Sequence, residues 1–176
     1  SANLREEFIP FLSYRSKNAG RRESKACFDA VQRIVTTPVA ARATIEHVQN
    51  PDDDFDASVL ALAYVHMGSP AHAALAYARA AGDREAVLPI RKALQQTVKA
   101  VDQAKFDQAL DHLSTATEAL QKALDAGEDM GPAEALTPGG MRGIAAVLGE
   151  QGRLYANMEE AESVTAEDMV PDVEIV

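Results

Sequence analysis

Three features of this sequence predict an all-α fold of antiparallel helical hairpins, a bundle or short repeat array of roughly six or seven helices. Alanine supplies 33 of the 176 residues, and it is the best helix former because its side chain loses no rotamer freedom. Aromatic residues make up only 5% and Trp is absent, while 47% of residues are hydrophobic. The core must therefore be built from small aliphatic side chains, which let helices approach closely. Apolar residues also recur at three- and four-residue spacing between short breaks marked by Pro, Gly or Asn.

Taken in order, Asn3 and Glu6 have the spacing of a capping box, with Phe8, Phe11 and Leu12 following as one apolar face. Pro10 limits this first helix, and Asn18-Ala19-Gly20 reads as a turn. A second helix is predicted from about Arg22 to Thr36, with Cys27, Val31, Ile34 and Val35 inward. Thr37-Pro38 is a cap followed by Pro at the first helical position, where its missing N–H costs nothing. The third helix runs to about Gln49, ended by Asn50-Pro51. Asp56 reads as the cap of the next helix, which carries Leu60, Tyr64 and Met67 and stops at Gly68. Ser69-Pro70 repeats the Thr-Pro device and opens a helix that runs through Leu75 and Tyr77 to Gly82.

From Asp83 to Ala126 the chain is helical in character throughout. Leu94, Val98 and Val101 form one stripe, and Phe106, Leu110, Leu113, Thr117, Leu120 and Leu124 form another. The phase slips by one residue between them, which predicts a turn or kink near Asp102–Lys105; one unbroken helix is the competing reading. Residues 1–126 are thus expected as the helical hairpin domain and 127–140, rich in Gly and Pro, as a linker. A Gly-containing helix over 141–158 carries Ile144, Val147, Leu148 and Leu154, and an acidic tail follows over 159–176. Each Gly in a helix interior costs about 0.8–1 kcal/mol relative to Ala, so this last helix is expected to need close packing against a neighbour.

Leu60, Ala61, Tyr64, Gly68, Ala73, Tyr77 and Ala80 alternate small and large residues over two consecutive helices. In this the stretch from Asp54 to about Val87 resembles a tetratricopeptide-type helical repeat. Glu85 stands where that pattern closes with Pro, and the next unit matches only through Phe106, Ala109, Leu113 and Ala116. The resemblance implies a protein-binding scaffold without catalysis. A generic helical bundle accounts for the same residues. In either case Ala61 and Ala73 are expected where two helices touch, with Tyr64 and Tyr77 filling the space beside them.

The net charge of −10 is unevenly spread, +3 over residues 1–49 and −13 over residues 50–176. A bulk nucleic-acid binder carries a basic stripe; here the basic spots reduce to Arg15, Lys17, Arg21, Arg22 and Lys25. A single cysteine, Cys27, excludes an intrachain disulfide and reads as a buried, inert thiol. The opening residues Ser1-Ala-Asn-Leu-Arg-Glu-Glu-Phe8 do not read as a secretory signal. The expected setting is the cytoplasm or a particle assembled inside a cell.

No catalytic, metal or cofactor site is read. Asp52, Asp54 and Asp56 alternate as in a calcium loop, but Ala57 and Ala63 stand where Gly and a bidentate Glu are needed. His47, His66, His72 and His112 have no carboxylate or Cys at ligand spacing. The acids that abound read as a solvated face. These features predict a non-enzymatic structural, assembly or adaptor protein that works through helix faces and its tail. Its partners would be sister copies or another protein, as in a subunit of a large particle such as a viral or phage shell. Within the tail, Val170, Val173, Ile175 and Val176 alternate with acids and are the candidate partner-binding residues. The alternative is a nucleic-acid-contacting regulatory or packaging factor that uses segment 15–25.

Overall fold

The computed structural model describes residues 3–132 and 135–149, which form helices and turns with no strand among them. The helices are α1 (Asn3–Glu6), α2 (Ile9–Lys17), α3 (Arg21–Ile34), α4 (Pro38–His47), α5 (Asp54–His66), α6 (Pro70–Ala80), α7 (Leu88–Asp102) and α8 (Phe106–Asp125). Residues 140–149 form a further helical stretch, α9. The N-terminal segment is two helices rather than one. Pro10 does not end a helix; it lies in the first turn of α2, where no intrahelical N–H is required of it.

Helices adjacent in sequence pack on one another: α2 on α3, α4 on α5, α5 on α6, α6 on α7 and α7 on α8. Beyond these, α3 and α2 contact α5, and α1 and α2 contact α4. This places α5 at the centre, and its sequence explains why: every residue from Phe55 to Ala61 is buried. A helix buried on all sides is a core helix, here with Asp56 and Ser58 as its buried polar residues. Phe55, Val59 and Ala63, at four-residue spacing, face a cluster with Ile9, Cys27, Phe28, Val31, Val35 and Ala41. The Phe28 and Phe55 rings meet edge to face with centroids 6.0 Å apart. Leu60 and Ala61 face a second cluster made by α6, α7, α8 and α9.

Ala61 and Ala73 are both fully buried in that second cluster, with Tyr77 among the buried residues and Tyr64 packed against it. Their size is what lets α5 and α6 close. Ala73→Leu is therefore expected to lower stability by about 1–3 kcal/mol through overpacking, read as a fall in thermal midpoint; a parental midpoint would mean that α5 and α6 have room to spare.

The turn between α7 and α8 falls where the phase slip predicts it. Lys105 N–H donates to Ala100 O at 2.8 Å, and Ala104 lies between them at φ 57°. At the end of α5 the same six-to-one bond, Ser69 N–H to Tyr64 O at 2.8 Å, closes around Gly68 at φ 77°. The helix after the first of these turns differs from expectation in what it buries. On α8 the inward residues are Ala109, Leu113, Ala116, Leu120 and Ala123, while Phe106 and Leu110 are 63% and 40% exposed and Thr117 is also exposed. The alanine stripe wins because it lets α8 lie closer along α7, which turns Phe106 and Leu110 outward. Residues 83–87 are not helical; α7 begins at Leu88.

Helix α9 belongs to the core, with Met141, Ile144 and Leu148 each at most 3% exposed. Its Gly143 lies against α6: a Cβ built there would stand 2.5 Å from Tyr77 Cγ and against the Pro138 carbonyl oxygen. Burial pushes the Tyr77 phenol up to about 12.

Candidate protein-interaction surfaces

The exposed large apolar side chains at the N-terminus are Phe8, just before α2, and Phe11 and Tyr14 on it, at three-residue spacing. Phe8, Phe11 and Tyr14 are 59%, 55% and 66% exposed, and the Arg15 guanidinium lies over the Phe11 ring, 6.0 Å from its centroid. The expected single apolar face of Phe8, Phe11 and Leu12 is thus divided, with Phe8 and Phe11 exposed and Leu12 packed against the core. The buried residues of α2 are Ile9 and Ser13, with Leu12 half-buried.

The reason for this rotation is a buried carboxylate. Asp56 does not cap α5. That role falls to Asp53, whose carboxylate accepts from the Phe55 and Asp56 N–H groups at 3.2 and 3.4 Å. The Asp56 side chain is 4% exposed and accepts from Ser13 Oγ at 2.5 Å and from Asn50 N–H at 3.1 Å. Lys17 Nζ stands 3.7 Å from both Asp53 and Asp56. Ser13 must therefore point inward, and the aromatic residues on the far side of α2 must point out.

The five basic residues do not form one patch. Arg15 pairs with Glu23 and Lys17 with Asp53 and Asp56. Arg21, Arg22 and Lys25, all exposed on α3, instead border a cleft of about 640 Å³ together with Ala135 and Leu136. The apolar half of this cleft comes from the segment between α8 and α9, more than 100 residues away in sequence. The spacing of the basic residues hinted at a patch; nothing local announced Leu136. Val170, Val173, Ile175 and Val176 lie outside the described residues.

His72 joins three helices. Its ring stacks on Tyr64 of α5 with centroids 4.9 Å apart, its Nδ1 pairs with Ser69 Oγ, and its Nε2 lies 3.2 Å from Asp102 at the end of α7. Ser69 Oγ therefore pairs with the imidazole and makes no side-chain cap bond, unlike Thr37, whose Oγ1 accepts from Ala40 N–H at 3.1 Å. Among the described residues no group of three or more His, Cys, Asp or Glu side chains is placed to hold a metal ion. No helix among them is long and apolar enough to cross a membrane.

These surfaces define the chain by fold alone, as an all-helical protein of packed helix pairs. No known protein family, curated protein or solved structure matches it.

Proposed function

We propose that this chain is a non-enzymatic assembly protein whose copies associate through the aromatic face of α2. The observation that carries this reading is the side-by-side exposure of Phe8, Phe11 and Tyr14 on a helix that had another face to bury. Contiguous exposed apolar side chains are costly in water and mark interaction surfaces. Aromatic residues and Arg are also the types that anchor interfaces, and Arg15 stands over the Phe11 ring. Association of this kind suits both the repeat-like hairpin α5–α6 and a place in a larger particle.

The nucleic-acid alternative is weakened by the pairing of Arg15 and Lys17 with acids, which separates them from Arg21, Arg22 and Lys25 at the cleft. Phosphate contacts number one released counterion per neutralised charge, so a three-residue patch on a chain of net charge −10 binds weakly.

The test is sedimentation of the full chain against the variant Phe8→Ser, Phe11→Ser, Tyr14→Ser. All three side chains are more than half exposed, so helicity by circular dichroism should be kept while the variant sediments as the 18.8 kDa protomer and the parent as a larger species. Identical sedimentation of the two would remove α2 from any role in self-association.

A further inference from the structure

We propose that the α2 face of one copy meets the outer face of α8 on a second copy, so that copies join head to tail. This rests on the reading that α2 mediates self-association, and it names the surface that α2 meets. Packing within the chain runs from α2 and α3 through α5, α6 and α7 to α8. In such a row each internal helix is covered by neighbours on both sides, while the helices at the two ends lack one. A row that ends in solvent is closed by helices with polar outer faces. Here both ends carry large apolar side chains instead.

At the first end stand Phe8, Phe11 and Tyr14, each more than half exposed. At the other end Phe106 and Leu110, one turn apart on α8, are 63% and 40% exposed. They lie outside the stripe of Ala109, Leu113, Ala116 and Leu120 that seats α8 on the core. Asp107, Asp111 and Glu118 recur beside them, all exposed, and among the described residues none of the three joins an ion pair.

The two ends are also opposite in charge. Residues 3–34 hold seven Lys/Arg against four Asp/Glu, and α8 holds one Lys against four Asp/Glu. Setting α2 on the α2 of another copy places an excess of positive charge against itself, and α8 on α8 places acid against acid. Setting α2 on α8 joins opposite charge and covers both apolar rows at once. Arg15, over the Phe11 ring with its side chain 53% exposed, is the cation beside the aromatic row. Two different faces meeting in this way make a heterologous contact, which repeats until it closes into a ring or extends as a filament. A face that met itself would stop at two copies.

The experiment is sedimentation velocity on two variants, alone and mixed. One is Phe8→Ser, Phe11→Ser, Tyr14→Ser. The other is Phe106→Ser with Leu110→Gln, at exposed positions, Gln being a good helix former. Each alone is expected to keep its helicity and run as the 18.8 kDa protomer, because each lacks one of the two faces. An equimolar mixture keeps one intact α2 face and one intact α8 face. It should therefore form a species of twice the 18.8 kDa protomer and nothing larger, while the parent goes beyond that size. An α8 variant that associates like the parent, beside an α2 variant that does not, overturns this proposal and leaves the assembly reading standing. A mixture without the twofold species overturns it as well. An α2 variant that sediments like the parent removes the assembly reading, and this proposal with it. A second α8 variant, Asp111→Lys with Glu118→Lys, removes no apolar contact and should raise the concentration for half-association about threefold or more at low salt. An unchanged value contradicts the pairing of α2 with α8.

Discussion

Gly143→Ala is expected to destabilise the protein, although helix propensity alone argues the reverse. In an exposed helix interior the change from Gly to Ala is worth about 0.8–1 kcal/mol in favour of Ala. At Gly143 the added methyl would meet the Tyr77 ring, 2.5 Å from Cγ and 2.6 Å from Cδ1, as well as a backbone carbonyl. Neither neighbour can yield easily. Tyr77 is 7% exposed inside the core, and the Pro138 carbonyl is backbone at the entry to α9. Overpacking of this kind costs about 1–3 kcal/mol and occasionally more, so the net change is a loss of about 1–2 kcal/mol. Gly149, on the same helix, has nothing within 4 Å of a built Cβ, and Gly149→Ala is expected to stabilise by up to about 1 kcal/mol. Chemical denaturation of the two variants should move their midpoints in opposite directions. Equal shifts would mean that α9 does not rest on Tyr77.

The second large effect is expected at Asp56. Asp56→Ala removes the acceptor shared by Ser13 Oγ and Asn50 N–H, leaving two donors without their partner where α2 meets the loop before α5. Each such group costs about 1–3 kcal/mol when it is buried and unsatisfied. Ser13 is 6% exposed and Asn50 is open to solvent, so the expected loss is about 1–3 kcal/mol, mostly from the Ser13 side. The Lys17 contact adds little, because its side chain is 38% exposed and the ammonium stands off at 3.7 Å, and pairs of that kind are worth under about 1 kcal/mol. Asp56→Asn keeps one acceptor and should fall between parent and Ala. Since the same carboxylate fixes the rotation of α2, Asp56→Ala should also change the exposure of Tyr14, read as a shift in its fluorescence quenching. A variant with parental stability would show that Asp56 is not what holds α2.

The parts of the fold that were legible in the sequence are those set by local chemistry. Thr37-Pro38 reads correctly as a helix start because a capping hydroxyl and a Pro in the first turn act within four residues. The break before α8 was visible as a slip in the apolar stripe, even though Ala104 adopts the left-handed turn position that Gly normally marks. What was misread depends on distant partners. Apolar spacing alone puts Phe8 and Phe11 inward, whereas the hydrogen bond from Ser13 to a residue 43 positions away turns them out. On α8 two stripes competed, and hydrophobicity favoured the one with Phe106 and Leu110. Close approach to α7 favoured the alanines, because a helix pair gains more contact where small side chains let the backbones near each other. The basic residues of the cleft were legible as types, but their division could not be read before Glu23, Asp53 and Asp56 were placed.

The central claim is that copies of this chain associate through α2, and a sedimentation-velocity series on the parent chain over a wide concentration range tests it most directly. The account expects a concentration-dependent species of at least twice the 18.8 kDa protomer, persisting at raised salt because the contact is apolar and salt screens only charge. A single 18.8 kDa species at every concentration and salt would contradict it.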